Sequence, residues 1–411
     1  MRFKKMAVLG ALALLALVLF CVRGPRRALT DSGDFATVYS AARCWRAQEN
    51  PYLEANIDRE YASGRGDPAR APNPDLTASV YLPSIFPLVA PIARFNWETA
   101  KRLWLMVELA AFAGGLICVA RGDWETAAWL VIAFLSFSAT QTGFSKGQPG
   151  VLCISLLAAA IYLKRTPRLQ LLSGLFLGIS CCVKPNVALP FLLFLCWRKQ
   201  WRAAAVCLAT ELLAWAVAFR NLGPHWWLDW SANVKTASAP GGNMDPTIGS
   251  TGSHWLSNFQ TVIGFFTTNQ QLCNWLTYAL LGALVIAVLA LTRFQMEEWQ
   301  ALAFLATLLL LGSYHRYYDL QLLMLCANAA LLLFRARGGA VWAMCAAALP
   351  LWFPLQALAA AALPIPAPGA ASFVQFLAFR NQPLCLLALA LVFAWALIRK
   401  QPFAPGEFRR R

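Results

Sequence analysis

Charge is scarce in this sequence: 13% of its 411 residues are Asp, Glu, Lys or Arg, against 59% that are hydrophobic. A soluble domain of this length needs far more polar surface to stay wetted, so the scarcity excludes that class. Negative charge is scarcer still, with 19 acidic residues to 35 basic ones. Three motif absences narrow the chemistry. A Gly-rich phosphate loop, a His-Glu-x-x-His helix and an Asp-x-Asp pair are all missing, which argues against P-loop hydrolysis, zinc hydrolysis and metal-assisted use of a nucleotide sugar. Cys-x-x-Cys is missing too, and most of the 12 cysteines fall inside apolar runs. They are read as small core residues, not as disulfides or metal ligands. No metal and no cofactor is expected, and no internal repeat or low-complexity segment interrupts the chain.

What remains is a series of apolar runs, each near the length that crosses a bilayer core of roughly 30 Å. The expected spans are Met6–Cys21, Leu103–Ala120, Trp124–Thr140, Val151–Leu163, Leu169–Val183, Val187–Trp197, Ala203–Phe219, Leu272–Leu291, Trp299–Gly312, Leu320–Phe334, Ala340–Ala362 and Pro383–Ile398. That predicts an all-α integral membrane protein of about twelve transmembrane helices. The net charge of +16 does not point to nucleic acid, because Lys and Arg sit beside apolar runs and not along one face. Basic residues near span ends stay in the cytoplasm. The clusters Lys164–Arg168, Arg198–Arg202 and Arg335–Arg337 and the 399–411 tail are then all inside, as an even span number allows. The first run follows Arg2, Lys4 and Lys5 without a small-x-small cleavage site, so an uncleaved anchor is expected. Both termini are expected in the cytoplasm of a bacterial inner membrane.

The chain reads as a single polytopic domain with two long outside loops, 22–102 and 220–271. In the first, Phe35, Val38, Ala42 and Trp45 recur at helical spacing after Thr30-Asp31-Ser32-Gly33, which predicts an amphipathic helix on the membrane surface. Asn50-Pro51-Tyr52 ends it. Ser63–Asp75 is rich in Gly, Pro and Arg and reads as flexible, and Tyr81–Phe95 is a second, Pro-broken apolar segment at the interface. Fifteen residues from Leu169 to Val183 rise only about 22 Å, so the hairpin Leu169–Trp197 carries its tip, Lys184-Pro185-Asn186, below the outer surface. Interrupted helices of that kind hold anions or ions inside bilayers.

Polar residues able to carry chemistry gather in these outside segments. Asp31 and Asp34 follow the first span, where a carboxylate can accept a proton from a sugar hydroxyl or simply cap a helix. Lys146 and Gln148 lie in Phe144–Gly150, Lys184 at the hairpin tip, and His315, Arg316 and Asp319 in Ser313–Asp319. Cations at headgroup depth are expensive unless they meet an anion, for which a phosphate is the natural candidate. The alternatives are snorkelling for Lys146 and an Arg316–Asp319 pair. His225-Trp226-Trp227 and His254-Trp255 read first as interface anchors and second as sugar-stacking groups. Glu108 and Glu211, inside spans, invite either a functional role or helix–helix bonding. With reactive groups outside, where nucleotide sugars are not available, a sugar donor has to arrive linked to lipid.

Gly33-Asp34-Phe35 with Val38-Tyr39-Ser40-Ala41-Ala42, Asn50-Pro51-Tyr52, Tyr81-Leu82-Pro83, Ala90-Pro91, Gly147-Gln148, Gly174 and Gly178 before Lys184-Pro185, and Tyr314–Asp319 occur in that order on one membrane face. Together they resemble the GT-C integral-membrane glycosyltransferases, and specifically glycosyltransferase family 87, in which polyprenyl-phosphate-mannose-dependent α-mannosyltransferases are found. Ser84 departs from the family's second proline, and Ser257-Asn258-Phe259 matches its Asn-rich outside segment only loosely. The resemblance implies a GT-C-type bundle and an inverting hexosyltransferase. Its donor would be a polyprenyl-phosphate sugar, with mannose the expected hexose, and its acceptor a glycan or glycolipid. Asp34, or its neighbour Asp31, would be the base. Lys184, Arg316, His315, Lys146, Gln148, Tyr39, Asp319 and Asn258 would bind substrate. Membrane lipids are the other expected partners. A transporter or flippase of lipid-linked sugars is the alternative, and an inactive scaffold subunit a third reading.

Overall fold

The computed structural model describes residues 2–66, 79–120, 124–250, 252–336, 339–365 and 372–399. The flexible stretch expected at 63–75 lies outside these from residue 67 onward, as do Arg337 and the basic tail from 400. Among the described residues the chain is helical, with a single isolated backbone bridge between Leu256 and Arg316 and no strand. It divides into two compact units, Met1–Thr236 and Ala237–Arg411.

In the first unit α1 (Arg2–Arg23) runs into α2 (Pro25–Ala28), α3 (Gly33–Arg46) and α4 (Glu54–Ser63). Next come α5 (Phe86–Ala93), α6 (Trp97–Ala120), α7 (Trp124–Ser136), α8 (Ser138–Lys146) and α9 (Pro149–Leu163). The hairpin α10 (Gln170–Val183) and α11 (Pro185–Trp197), then α12 (Trp201–Phe219) and α13 (Trp226–Ser238), complete the set. The helix expected from Phe35, Val38, Ala42 and Trp45 forms as α3, but it does not lie on a surface. Ten of its 14 residues are buried, because Ala36, Ser40 and Ala41 let α4, α5 and α8 close over the side that an amphipathic reading leaves wet. Its polar tips are spent on carbonyls: Trp45 Nε1 donates to Ala218 O at 2.8 Å and Tyr39 OH to Phe95 O at 2.8 Å. The helix pair α7–α8 bends by 62° at Phe137, and Gln141 Nε2 donates at 2.8 Å to the Leu135 carbonyl near that break.

Among the described residues, six helices are long and apolar enough to cross a membrane, or up to eight if each bent pair is one span. Five further apolar helices, Pro83–Ala93, Pro149–Leu163, Pro167–Val183, Pro185–Trp197 and Glu298–Gly312, are shorter. The expected twelve spans include four of these as full crossings, although 14 residues of α10 rise only about 21 Å. Small residues let α10 and α12 approach: a Cβ on Gly174 would stand 2.4 Å from Ala203 O and one on Gly178 2.6 Å from Thr210 Cβ. Gly174→Ile should therefore cost about 1–3 kcal/mol by overpacking and lower the thermal midpoint of the detergent-purified protein. Gly114→Ala, whose new methyl meets nothing within 4 Å, should leave the midpoint unchanged or higher. Equal midpoints for the two variants would refute the close-packing argument.

The second unit holds α14 (Gln260–Ile263), α15 (Gln270–Thr292), α16 (Glu298–Gly312), α17 (Ala327–Ala336), α18 (Gly339–Ala348), α19 (Leu355–Ala362) and α20 (Phe373–Ile398). A 3-10 helix, Tyr317–Cys326, links α16 to α17. The last helix starts ten residues before the expected Pro383. Its start is a capping box in which Ser372 Oγ accepts from Gln375 N at 3.2 Å and Gln375 Oε1 accepts from Ser372 N at 2.9 Å. Pro383 then kinks the helix at Arg380 (φ −129°, ψ 20°), because proline has no N–H for the carbonyl four residues earlier. That carbonyl, Phe379 O, instead accepts from Arg380 Nη1 at 2.8 Å.

Candidate active site

Two left-handed residues set the geometry of the first unit's polar cluster. Ser32, at φ 54°, stops α2 from running into α3, and Gly147, at φ 59°, separates α8 from α9. The two turns interlock, with Ser32 N donating to Ser145 O at 3.1 Å. A Cβ at Gly147 would lie 2.9 Å from Phe35 Cβ, so a side chain there is excluded by space as well as by backbone. Trp104 Nε1 fixes the turn from α6 by donating to Gly147 O at 3.1 Å, and its ring stacks on Phe35 at 4.7 Å.

This interlock brings four expected residues together in two pairs. Lys146 Nζ donates to Asp31 Oδ2 at 2.7 Å, and Gln148 Nε2 donates to Asp34 Oδ2 at 2.7 Å. Asp31 Oδ1 also accepts from Gly33 N at 3.3 Å, so both of its oxygens are engaged. Gln148 is buried and held in one orientation, its Oε1 accepting from Gly150 N at 3.1 Å and from Tyr81 OH at 3.3 Å. Three residues beyond Tyr81, Ser84 Oγ donates to Cys182 O at 3.0 Å, tying this segment to the end of α10. There Lys184, partly buried, forms the break before α11 with φ −148° and ψ 78°. Tyr39 is placed differently: it is fully buried with its hydroxyl committed to Phe95 O.

Glu108 stands one helical turn beyond Trp104, fully buried, with neither carboxylate oxygen hydrogen-bonded in a good geometry, since the Trp104 N–H is committed to Gly147 O. Asp34 lies within electrostatic range of it. Tyr81, Trp104 and Glu108 are the members of this cluster that residue spacing did not single out as site residues. The hydrogen-bonding capacity of Tyr81 and the carboxylate of Glu108 inside a span, already open to a functional role or to helix–helix bonding, were the available signals.

In the second unit the Ser313–Asp319 segment is knotted by its own side chains. His315 and Asp319 are buried, with His315 Nδ1 3.1 Å from Asp319 Oδ2 and His315 Nε2 3.0 Å from Ser313 Oγ. Asp319 Oδ2 also accepts from Arg316 N at 3.2 Å, and Arg316 Nε donates to Tyr314 OH at 2.6 Å. The segment 256–260 binds along it, through Ser257 N to His315 O at 2.9 Å and Gln260 Nε2 to Gly312 O at 3.1 Å. Asn258 belongs to this strip, its Nδ2 donating to Gln260 Oε1 at 2.6 Å while its buried Oδ1 has no donor. Nearby, burial and the Arg380 cation hold the His254 imidazole below the usual histidine range. His225 and Trp227 are exposed. Trp226 instead packs against Tyr52, Trp215 and Phe219. Among the described residues no three His, Cys, Asp or Glu side chains gather around a possible metal position.

An all-α chain with several helices of membrane-crossing length, and polar clusters at helix breaks, belongs to the multi-pass helical membrane proteins. The family model described as Glycosyltransferase family 87 matches residues 80–313, more than half of the chain, and the chain belongs to that family. It is a glycosyltransferase. The matched segment takes in Tyr81, Lys146, Gln148, Lys184 and Asn258 and ends at Ser313, with Asp31, Asp34 and Tyr39 before it and His315, Arg316 and Asp319 after it. No curated protein and no solved structure matches the chain.

Proposed function

We propose that this glycosyltransferase moves a hexose, with mannose the expected sugar, from a polyprenyl-phosphate sugar to a glycan or glycolipid acceptor at the outer face of the inner membrane. Asp34 takes the proton of the acceptor hydroxyl. The acceptor oxygen bonds to the anomeric carbon as the bond to the phosphate oxygen breaks, the configuration inverts, and polyprenyl phosphate leaves with the electron pair. The observation that carries this reading is the Gln148–Asp34 bond of 2.7 Å. A carboxylate seated on a buried amide that is itself fixed by Tyr81 and Gly150 is oriented before substrate arrives.

Lys184 in the first unit, and separately Arg316 with His315 beside it in the second, are the residues proposed to bind substrate phosphate. Lys146 is given up for that role because its ammonium is paired with Asp31. The outer-face assignment is supported by α9, which has Gln148 at its start and the basic segment Lys164–Arg168 beyond its end.

Purified protein in nanodiscs, given radiolabelled polyprenyl-phosphate mannose and a mannoside acceptor, should release polyprenyl phosphate and label the acceptor. A nucleotide mannose offered alone should give no product. Transfer from the nucleotide donor, with none from the lipid donor, is the result that removes the proposal.

A further inference from the structure

The motif Asn50-Pro51-Tyr52 and the helix α13 have no part in the transfer scheme above, yet they meet over one short stretch of backbone. Residues 79–81 belong to no helix, so their carbonyls have to find donors outside a regular ladder. They find side chains. Asn233 Nδ2 donates to Ser79 O at 3.2 Å, Trp230 Nε1 to Val80 O at 3.0 Å and Tyr52 OH to Tyr81 O at 3.0 Å. Three consecutive carbonyls are each met by a different donor, and two of the donors come from 150 or more positions away. Val80 and Tyr81 are partly exposed, and water would satisfy such carbonyls without fixing the chain. A phenol, an indole and an amide hold it in one place.

The donors are themselves tied together. Asn233 Nδ2 also donates to Tyr52 O at 2.9 Å. Asp229 Oδ2 accepts from Asn50 Nδ2 at 2.6 Å, and Asn50 Oδ1 accepts from Tyr52 N at 3.0 Å, so the 50–52 turn is fastened to α13 by two side chains. Asp229, Trp230 and Asn233 share one face of that helix, while Trp227, Leu228 and Lys235 on the other side are exposed. What the clamped stretch delivers is one hydroxyl. Tyr81 OH donates to Gln148 Oε1 at 3.3 Å, and Gln148 Nε2 donates to Asp34 Oδ2 at 2.7 Å. An amide has one donor end and one acceptor end. A hydroxyl proton held on Oε1 keeps the donor end turned to the carboxylate, and a flipped amide would set its oxygen against Asp34 and its N–H groups against Gly150 N.

We propose that Tyr52, Trp230 and Asn233 are positioning residues for transfer that act through Tyr81, on the reading of Asp34 as the base: they hold residues 79–81 where the Tyr81 hydroxyl keeps Gln148 turned to Asp34. No step of the chemistry passes through this clamp. It orients the base before the acceptor arrives, so its loss falls on turnover with substrates bound and not on how tightly either substrate is held.

Two measurements on purified full-length protein in nanodiscs test this, and the first does not involve transfer. In hydrogen–deuterium exchange, Asn233→Leu should speed exchange in peptides covering residues 79–82 and leave peptides of α9 as in the wild type. In initial-rate transfer, Tyr52→Phe, which removes only the hydroxyl, should lower kcat about threefold to tenfold, as loss of one hydrogen bond does, with KM for donor and acceptor unchanged. Tyr81→Phe should cost as much or more. The Tyr52→Phe, Tyr81→Phe double variant should be no slower than Tyr81→Phe, because a clamp that aims a hydroxyl has nothing to aim once the hydroxyl is gone. Ser231→Ala, on α13 but with its hydroxyl returned to Leu228 O of the same helix, should keep the wild-type rate. Tyr52→Phe carries both measurements if Asn233→Leu does not survive purification. Losses that multiply in the double variant, losses confined to KM, an equal loss in Ser231→Ala, or unchanged exchange at residues 79–82 would each overturn the clamp. Full rate in Asp34→Asn, with the Tyr52–Tyr81 coupling and the faster exchange still present, would overturn the choice of base and support the clamp.

Discussion

Asp34→Asn should lower sugar transfer by about a hundredfold to ten thousandfold, the usual worth of a positioned general base. The change is isosteric, and the amide oxygen of the new side chain still accepts from Gln148 Nε2, so the thermal midpoint should stay with that of the wild type. Asp31→Asn is the informative comparison. Asp31 already has both oxygens engaged, one by Lys146 and one by Gly33 N, so we expect it to brace the turn before α3 against the end of α8. Its replacement should cost less than about tenfold in transfer, within what loss of a partly exposed ion pair explains. The measurement is initial-rate transfer from a polyprenyl-phosphate sugar by purified variants of matched stability. If Asp34→Asn retains full rate while Asp31→Asn loses it, the two carboxylates have been assigned the wrong way round. If neither loses rate, the base lies elsewhere.

The class of this fold was readable because hydropathy in a membrane chain is set by the solvent itself: a run of apolar residues has few other places to go. The hairpin break at Lys184-Pro185 was likewise legible, since a proline with no N–H starts a helix and does not continue one. Two features escaped. The helix α3 has an amphipathic period but packs on most sides, because alanines and serines on its polar face let neighbours close in, and a period in sequence does not say what covers the far side. The N-terminal third of α20 reads as loop up to Pro383, although Ser372 and Gln375 at capping-box spacing marked its start. With that helix went Arg380, which looks like an outside-loop charge until the kink buries it. At the site, the residue types could be read, but the pairings could not. Asp31 with Lys146 and Asp34 with Gln148 join residues 115 and 114 positions apart. Which donor meets which carboxylate depends on the two left-handed turns at Ser32 and Gly147, and for Ser32 nothing in the residue type announces the turn.

Asp319→Ala should be the most destabilising single change in the second unit's polar segment. The Asp319 carboxylate is 1% exposed and its Oδ2 receives both the His315 ring and the Arg316 backbone N–H. Removing it leaves two donors inside protein with no water to turn to, each costing about 1–3 kcal/mol. The loss does not stop at those two groups. His315 O holds Ser257 N, and Gly312 O holds the Gln260 side chain, so the 256–260 segment loses its template when the Ser313–Asp319 segment relaxes. A fall in thermal midpoint of roughly 5–15 °C follows for a unit of this size, with near-complete loss of transfer if Arg316 serves the donor phosphate. Asp319→Asn separates stability from charge. Its carbonyl oxygen still accepts one of the two donors, so it should melt closer to wild type. Thermal unfolding of the two variants, followed by tryptophan fluorescence in one detergent, gives the comparison. Coincident curves for wild type and Asp319→Ala would show that the buried carboxylate does not hold this segment, and the support it lends to Arg316 would have to be sought in another contact.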